Sequence, residues 1–258
     1  MSNIKITLVQ STLVWGNISA NLDMFTQKIK SLDEETDLIV FPEMFNTGFT
    51  MRVSDLSEPM EGPSMEWLAQ TAAARSCVCV ASLIIRESER YFNRLIWMRP
   101  DGSYASYDKR HLFRMMGEDR VFSPGSVRLN TTLGPWRFLP MICYDLRFPV
   151  WSRSREDYDC LIYIANWPEA RRNAWQILLR ARAVENIAYA VGVNRVGEDA
   201  LGNSFSGDSM AIDYKGKVRS EIPSHGECLT TVTLSLSDLT AFRNAFPAHR
   251  DADDFCLL

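Results

Sequence analysis

Three ionisable residues close apolar or alternating runs in this chain. Cys143 ends Trp136-Arg-Phe-Leu-Pro-Met-Ile-Cys143 and is followed at once by Tyr144-Asp-Leu-Arg147-Phe-Pro149. A strand that hands a thiol to a turn and then to a proline-marked helix start presents a nucleophile at a sheet rim. Taken alone, such a cysteine reads as a small buried hydrophobe. Glu43 follows Asp37-Leu-Ile-Val-Phe-Pro42, and Lys109 follows the alternating stretch Tyr104-Ala-Ser-Tyr107-Asp108. A free thiol, with a pKa near ~8.5, is only slightly ionised at neutral pH, so a cysteine nucleophile needs a base. A strand-end carboxylate can take and return that proton, and an ammonium can favour the thiolate and stabilise an oxyanion.

Together, Phe41-Pro-Glu43, Lys109-Arg-His-Leu-Phe113 and Cys143-Tyr-Asp-Leu-Arg-Phe-Pro149 resemble the nitrilase superfamily of carbon-nitrogen hydrolases. The working set of that family is a Glu, a Lys and a Cys, each following a strand. A further family position, a glutamate shortly before a Pro-Gly pair, is matched by Glu118 in Gly117-Glu-Asp-Arg-Val-Phe-Ser-Pro-Gly125, with Asp119 adjacent. The resemblance extends from about Lys5 to about Pro247. It implies an α/β fold, a four-layer α-β-β-α sandwich, and pairing with a second subunit as a homodimer. It also implies a reaction: Cys143 attacks an amide carbonyl while Glu43 takes its proton, and Lys109 and the backbone N–H of Tyr144 stabilise the oxyanion. Ammonia leaves, and water activated by Glu43 hydrolyses the thioester. Glu118 would orient Lys109 or the substrate amide.

Nitrile-cleaving members tend to carry Trp-Glu after the cysteine, so Tyr144-Asp145 looks like the amidase branches. Asn166-Trp-Pro168, Trp175-Gln-Ile-Leu-Leu-Arg-Ala-Arg-Ala-Val-Glu-Asn186 and Val193-Asn-Arg-Val-Gly197 are similar to the bacterial omega-amidases. Those enzymes hydrolyse the terminal amide of 2-oxoglutaramate and 2-oxosuccinamate. A carboxylate on such a substrate wants an arginine fork. Arg147, Arg171 and Arg172 are candidates for it, and Phe113 and Trp167 for the apolar wall. The alternatives within the family are deaminated-glutathione amidase, because that branch shares Cys-Tyr-Asp-x-Arg-Phe-Pro, or another small aliphatic amidase. A non-catalytic binding scaffold is the alternative of a different class. A papain-like Cys-His pair has little support, since none of His111, His225 and His249 stands in a base-like context; His111 is expected to support the Lys109 loop.

With 258 residues, 46% hydrophobic, the chain can bury a large core, and no linker-like stretch divides it, so one domain spanning residues 1–258 is expected. A net charge of -4 gives no electrostatic reason to expect nucleic acid. No apolar stretch approaches a membrane span, and the first ten residues lack the pattern of a secretion signal, so a cytoplasmic protein is expected. Cys77, Cys79, Cys143, Cys160, Cys228 and Cys256 contain no C-x-x-C and are expected to be reduced thiols. Neither cysteines nor histidines have local metal-ligand spacing, and no cofactor is expected.

Strand and helix patterns alternate through most of the chain. Strands are expected at Ile4 to Val9, Asp37 to Phe41, Cys77 to Ile85, Cys160 to Ala165 and Ala188 to Asn194. Phe92 to Met98 and Ser103 to Tyr107 flank a Pro-Asp-Gly turn and form a hairpin. Leu22, Phe25, Ile29 and Leu32 recur at helical spacing behind Asn17 or Asn21 as a cap. Further helices are expected at Ser64 to Arg75, Pro149 to Arg155 and Asn173 to Asn186. The remainder, with Asp208 to Asp213, Lys217 to Ile222 and Cys228 to Leu234, reads as β-rich, with a turn at Tyr214-Lys-Gly216-Lys.

Overall fold

The structure is a computed structural model that describes residues 3–154, 157–220 and 222–253. In chain order its strands are β1 (Asn3–Gln10), β2 (Leu38–Val40), β3 (Val78–Glu87), β4 (Arg90–Met98), β5 (Tyr104–Asp108), β6 (Thr131–Leu133), β7 (Trp136–Ile142), β8 (Cys160–Ala165), β9 (Tyr189–Asn194), β10 (Val196–Glu198), β11 (Ser204–Ser206), β12 (Met210–Ile212) and β13 (Cys228–Ser235). The helices are α1 (Ile18–Lys30), α2 (Val53–Leu56), α3 (Pro63–Arg75), α4 (Pro149–Ser152), α5 (Arg172–Glu185) and α6 (Leu236–Ala245). A six-stranded sheet has the order β13-β1-β2-β3-β4-β5, and a five-stranded sheet the order β12-β9-β8-β7-β6. β10 and β11 form a separate two-stranded ribbon.

The layers follow from side-chain alternation. Ile4, Ile6, Leu8, Val78 and Val80 turn from the first sheet toward the second, whose Phe138 ring meets Trp97 of β4 at 5.2 Å, forming the core between the sheets. Ile39, Cys79, Ala81 and Leu83 turn the other way, onto Phe25 and Ile29 of α1 and Leu68 and Ala72 of α3. On the outer face of the second sheet, α5 packs Trp175 and Leu179 so closely over β9 that a Cβ at Gly192 would lie 2.5 Å from Leu179. The result is the four-layer α-β-β-α sandwich. Pro140 is tolerated in β7 because β6 pairs only with Trp136 to Phe138, which leaves one side of the strand without a partner there.

Asn17 is the α1 cap, accepting from the Ala20 amide at 3.0 Å, while Asn21 is buried and anchors the Val14 backbone. The expected hairpin pairs Met98 with Tyr104. Two expectations need correction. Lys217 to Ile222 contributes only a bridge between Val218 and Ile212, with Glu221 outside the described residues, because the turn at Asp213 to Lys217 is followed by too little paired chain. The β-rich tail also contains a helix, α6, whose N-terminus is capped by Ser235 accepting from the Asp238 amide. The helix after Pro149 ends at Ser152, and both Arg155 and Cys256 lie outside the described residues. Among the described residues, no helix is long and apolar enough to cross a membrane.

Candidate active site

β2, β5, β7 and β8 end at one rim, where an α/β sheet offers its crevice. Glu43 follows β2 between Phe41 and Phe45, whose rings lie 5.3 Å apart and are fixed against Phe25 and Trp67. Its Oε1 accepts from Lys109 Nζ at 2.8 Å and from Asn93 Nδ2 at 2.8 Å, and its Oε2 accepts from the Asn166 amide at 2.9 Å. Lys109 leaves the end of β5 with its amide bonded to the Asn93 carbonyl and its own carbonyl accepting from Gly125. A Cβ at Gly125 would lie 2.1 Å from the Asp108 carbonyl, so only glycine lets that loop close over the lysine. Nζ also donates to both oxygens of Glu118, at 2.9 and 3.0 Å. Glu118 is held in turn by the Phe113 amide and by Asn93 Nδ2 at 3.3 Å.

Cys143 begins a 3-10 turn, Cys143–Arg147, directly after β7 and has φ 43°. A non-glycine residue there is strained and persists only where its surroundings dictate the conformation. Asp145 does so. Its carboxylate accepts from the Ile142 amide (3.1 Å), the Tyr107 hydroxyl (2.8 Å), the His111 amide (3.0 Å) and His111 Nδ1 (2.8 Å). His111, stacked on Phe148 at 3.8 Å, thus serves this turn. Cys143 Sγ lies 3.9 Å from the Asn166 carbonyl oxygen at the end of β8. Glu43, Lys109, Glu118 and Cys143 therefore converge, while the neighbouring Asp119 stays on the surface, 3.9 Å from Arg114.

The carbon-nitrogen hydrolase profile matches residues 5–244. The chain belongs to the carbon-nitrogen hydrolase family. It is 42% identical over 258 residues, all of both chains, to omega-amidase YafV of Yersinia enterocolitica. It is 30% identical over 251 residues to 2-oxoglutaramate amidase of Bacillus subtilis, covering 95% of this chain and 96% of that one. Among solved structures it matches XC1258 from Xanthomonas campestris, a CN-hydrolase superfamily protein with an arsenic adduct in its active site. That match has a TM-score of 0.97, with 39% identity and full coverage of both chains.

One buried ammonium in this hydrolase faces two buried carboxylates. Burial alone would lower the Lys109 pKa, but Glu118 and Glu43 outweigh it and hold the group above its ordinary range. Burial, reinforced by Glu43, raises Glu118 despite its contact with Lys109, because two acids share one base. The Cys143 thiol is pushed well above its usual range, first by burial and then by the adjacent Glu43. Lys109 favours the thiolate, as expected, but is outweighed by burial and Glu43.

Above the cluster opens a cavity of about 60 Å³. Cys143, Tyr144, Phe113, Trp167, Arg147 and Arg171 all border it. The Arg147 guanidinium lies 5.0 Å over the Trp167 ring and that of Arg171 lies 5.2 Å over Phe113. Among the described residues neither arginine has an acidic partner. Arg172 is the exception to the expected set. It forms a two-point ion pair with Asp208, at 2.7 and 2.8 Å, and reaches Ser224 Oγ, so its charge is already matched away from the cavity.

Several participants escaped the sequence reading. Asn93, buried in mid-strand, carries no signal beyond its polarity in a β4 that also holds Arg90 and Arg94. Asp145 could have been found as an acid two residues past the cysteine. Asn166 opens a motif that was noticed without a role. Phe49, Asp199, Leu201, Asn203 and Phe205 complete the cavity wall.

Proposed function

We propose that this hydrolase is an omega-amidase, which cleaves the terminal amide of a short 2-oxo acid such as 2-oxoglutaramate or 2-oxosuccinamate. The observation that carries the proposal is one small cavity with a buried acid, ammonium and thiol at its base and two arginines without acidic partners at its wall. Full-length identity to omega-amidase YafV supports the substrate class.

In this reading Glu43 takes the Cys143 proton as Sγ bonds the amide carbon, and the carbonyl electron pair moves to oxygen. Lys109 Nζ and the Tyr144 amide stabilise that oxyanion, a contribution of about 3–4 kcal/mol per donor in comparable sites. When the tetrahedral centre collapses, the C–N bond breaks, Glu43 returns the proton to nitrogen, and ammonia departs. Water then gives a proton to Glu43 as it attacks the thioester; the C–S bond breaks, and the sulfur recovers its proton. Because the resting group is a thiol, proton transfer and attack are coupled, which protects the sulfur between turnovers. Glu118 and Asn93 hold Lys109 and Glu43 in register. Arg147 and Arg171 receive the substrate carboxylate, with Phe113 and Trp167 against its carbon chain.

A free-thiol nucleophile works in a reducing compartment, so we assign the reaction to the cytoplasm. We also assign a homodimer, supported by exposed Ile177 and Val184 along one side of α5. The functional test is ammonia release from 2-oxoglutaramate by the purified protein, with Cys143→Ala as control. Preferred turnover of deaminated glutathione would move the assignment, and full activity of the Cys143→Ala protein would eliminate the mechanism.

A further inference from the structure

The β10–β11 ribbon belongs to neither sheet, yet its turn and second strand supply Asp199, Leu201, Asn203 and Phe205 to the cavity wall. The turn is internally fixed: Asp199 Oδ1 accepts from the Leu201 and Asn203 amides and Oδ2 from Asn203 Nδ2, each at 2.9 Å. Leu201 at its tip is 63% exposed, an apolar side chain presented to the cavity without packing of its own. An element this small cannot set its own position, because a two-stranded hairpin has marginal stability by itself.

Arg195, immediately before the ribbon, is 1% exposed. Among the described residues it has no acidic partner, and burial lowers its pKa to about 10, so it stays charged at neutral pH. A buried, unpaired guanidinium is costly and needs compensation. Here it comes from backbone carbonyls of two segments: Nε donates to Val196 O at 3.2 Å, and Nη2 donates to Glu198 O at 2.9 Å and to Leu13 O at 3.5 Å. The guanidinium also lies 4.6 Å over the Phe205 ring, and Nη1 abuts Gly48 in the loop that carries Glu43. Arg195 thus ties both ends of β10, and the ring of β11 that faces the cavity, to the loops after β1 and β2.

We propose that the β10–β11 ribbon is the wall that selects the acyl chain, with Leu201 and Asn203 against the part of the substrate remote from the amide, and that Arg195 is the positioning residue that holds this wall in place. The inference rests on the small-amide reading of the same cavity. It concerns selection between amides, and the chemistry at Cys143 stays with Glu43 and Lys109.

The test compares kcat/KM for 2-oxoglutaramate with that for propionamide, which is too short to reach the ribbon, in the wild type and in Arg195→Lys, Arg195→Met, Leu201→Gly and Asn203→Ala. The ratio of long to short amide is expected to fall about tenfold in Arg195→Lys and Leu201→Gly, mainly through KM of the long amide. A ratio within about twofold of wild type in the folded variants, or equal losses on both amides, overturns the proposal. If the Arg195 variants fail to fold, the Leu201 and Asn203 variants, altered only at an exposed turn, decide it by the same ratio. Failure of the omega-amidase reading shows separately, as a wild type that does not prefer 2-oxoglutaramate. The ribbon is then judged on the longest amide the wild type turns over.

Discussion

Lys109 Nζ donates to Glu43 Oε1 at 2.8 Å while its other side engages both oxygens of Glu118, so one buried ammonium holds two buried carboxylates. Removing it does more than delete the proposed oxyanion donor. Lys109→Met leaves two buried carboxylates facing each other without their shared cation, and the expected loss of stability is about 3–5 kcal/mol at neutral pH. Glu118 is already raised, by burial before all else, and loses its lowering partner in this variant. A carboxyl raised in the folded state adds stability at low pH that is lost as pH rises through its folded pKa. The deficit of Lys109→Met should therefore shrink on acidification, and Lys109→Met/Glu118→Gln should recover stability but no activity. Denaturant titration at two pH values checks both.

Glu43 has two roles that pull the sulfur in opposite directions. It is the proposed base, yet its presence raises the Cys143 thiol, second only to burial. Glu43→Gln should lower amide turnover by at least about 100-fold, as expected for loss of a general base. The same change should move the pH dependence of Cys143 alkylation by iodoacetamide to lower pH. An alkylation curve that stays in place would contradict the electrostatic account of the thiol.

The three candidate arginines should separate cleanly. Arg147→Ala and Arg171→Ala should each raise KM for 2-oxoglutaramate by about tenfold or more, since a hydrogen bond to a charged group contributes ~1.5–3 kcal/mol. Arg172→Ala should leave KM nearly unchanged and lower thermal stability instead, because it breaks the pair with Asp208 that anchors the start of α5. Steady-state kinetics and melting curves on the three proteins provide the comparison.

Acid sensitivity has an origin remote from the cavity. Glu227 accepts from the Thr12 amide at 2.9 Å and hydroxyl at 2.6 Å and pairs with Lys28 at 2.9 Å; these bonds outweigh burial and hold its pKa near about 2. A carboxyl lowered in the folded state contributes stability above its unfolded value that is lost as pH falls through the folded one. Glu227→Gln should be less stable than wild type at pH 7, and the difference should fade between about pH 4.5 and pH 2. Paired denaturation curves across that range test it.

The proposed catalytic trio was legible because each member directly follows an apolar or alternating segment, and strand ends are where backbone rigidity meets a cleft. Sequence spacing alone could not establish that β2, β5 and β7 end at one rim, which depends on the packing of two sheets; family resemblance filled that gap. Asn93 was invisible because a buried asparagine in mid-strand differs from a solvated one only through partners 25 and 50 residues away. The ribbon was missed because three-residue strands are too short to display alternation. Arg172 misled because it adjoins Arg171 in the chain and only the fold pairs it with Asp208.

The measurement that bears most directly on the cluster is rapid-quench intact mass of the protein during turnover of a slow ester that carries the same acyl group. The account predicts a transient adduct of the acyl mass, mapped to Cys143 and absent from Cys143→Ala, which accumulates further in Glu43→Gln if any acylation persists there. Steady turnover by a protein lacking the Cys143 sulfur, or an acyl group mapped to another residue, would contradict it.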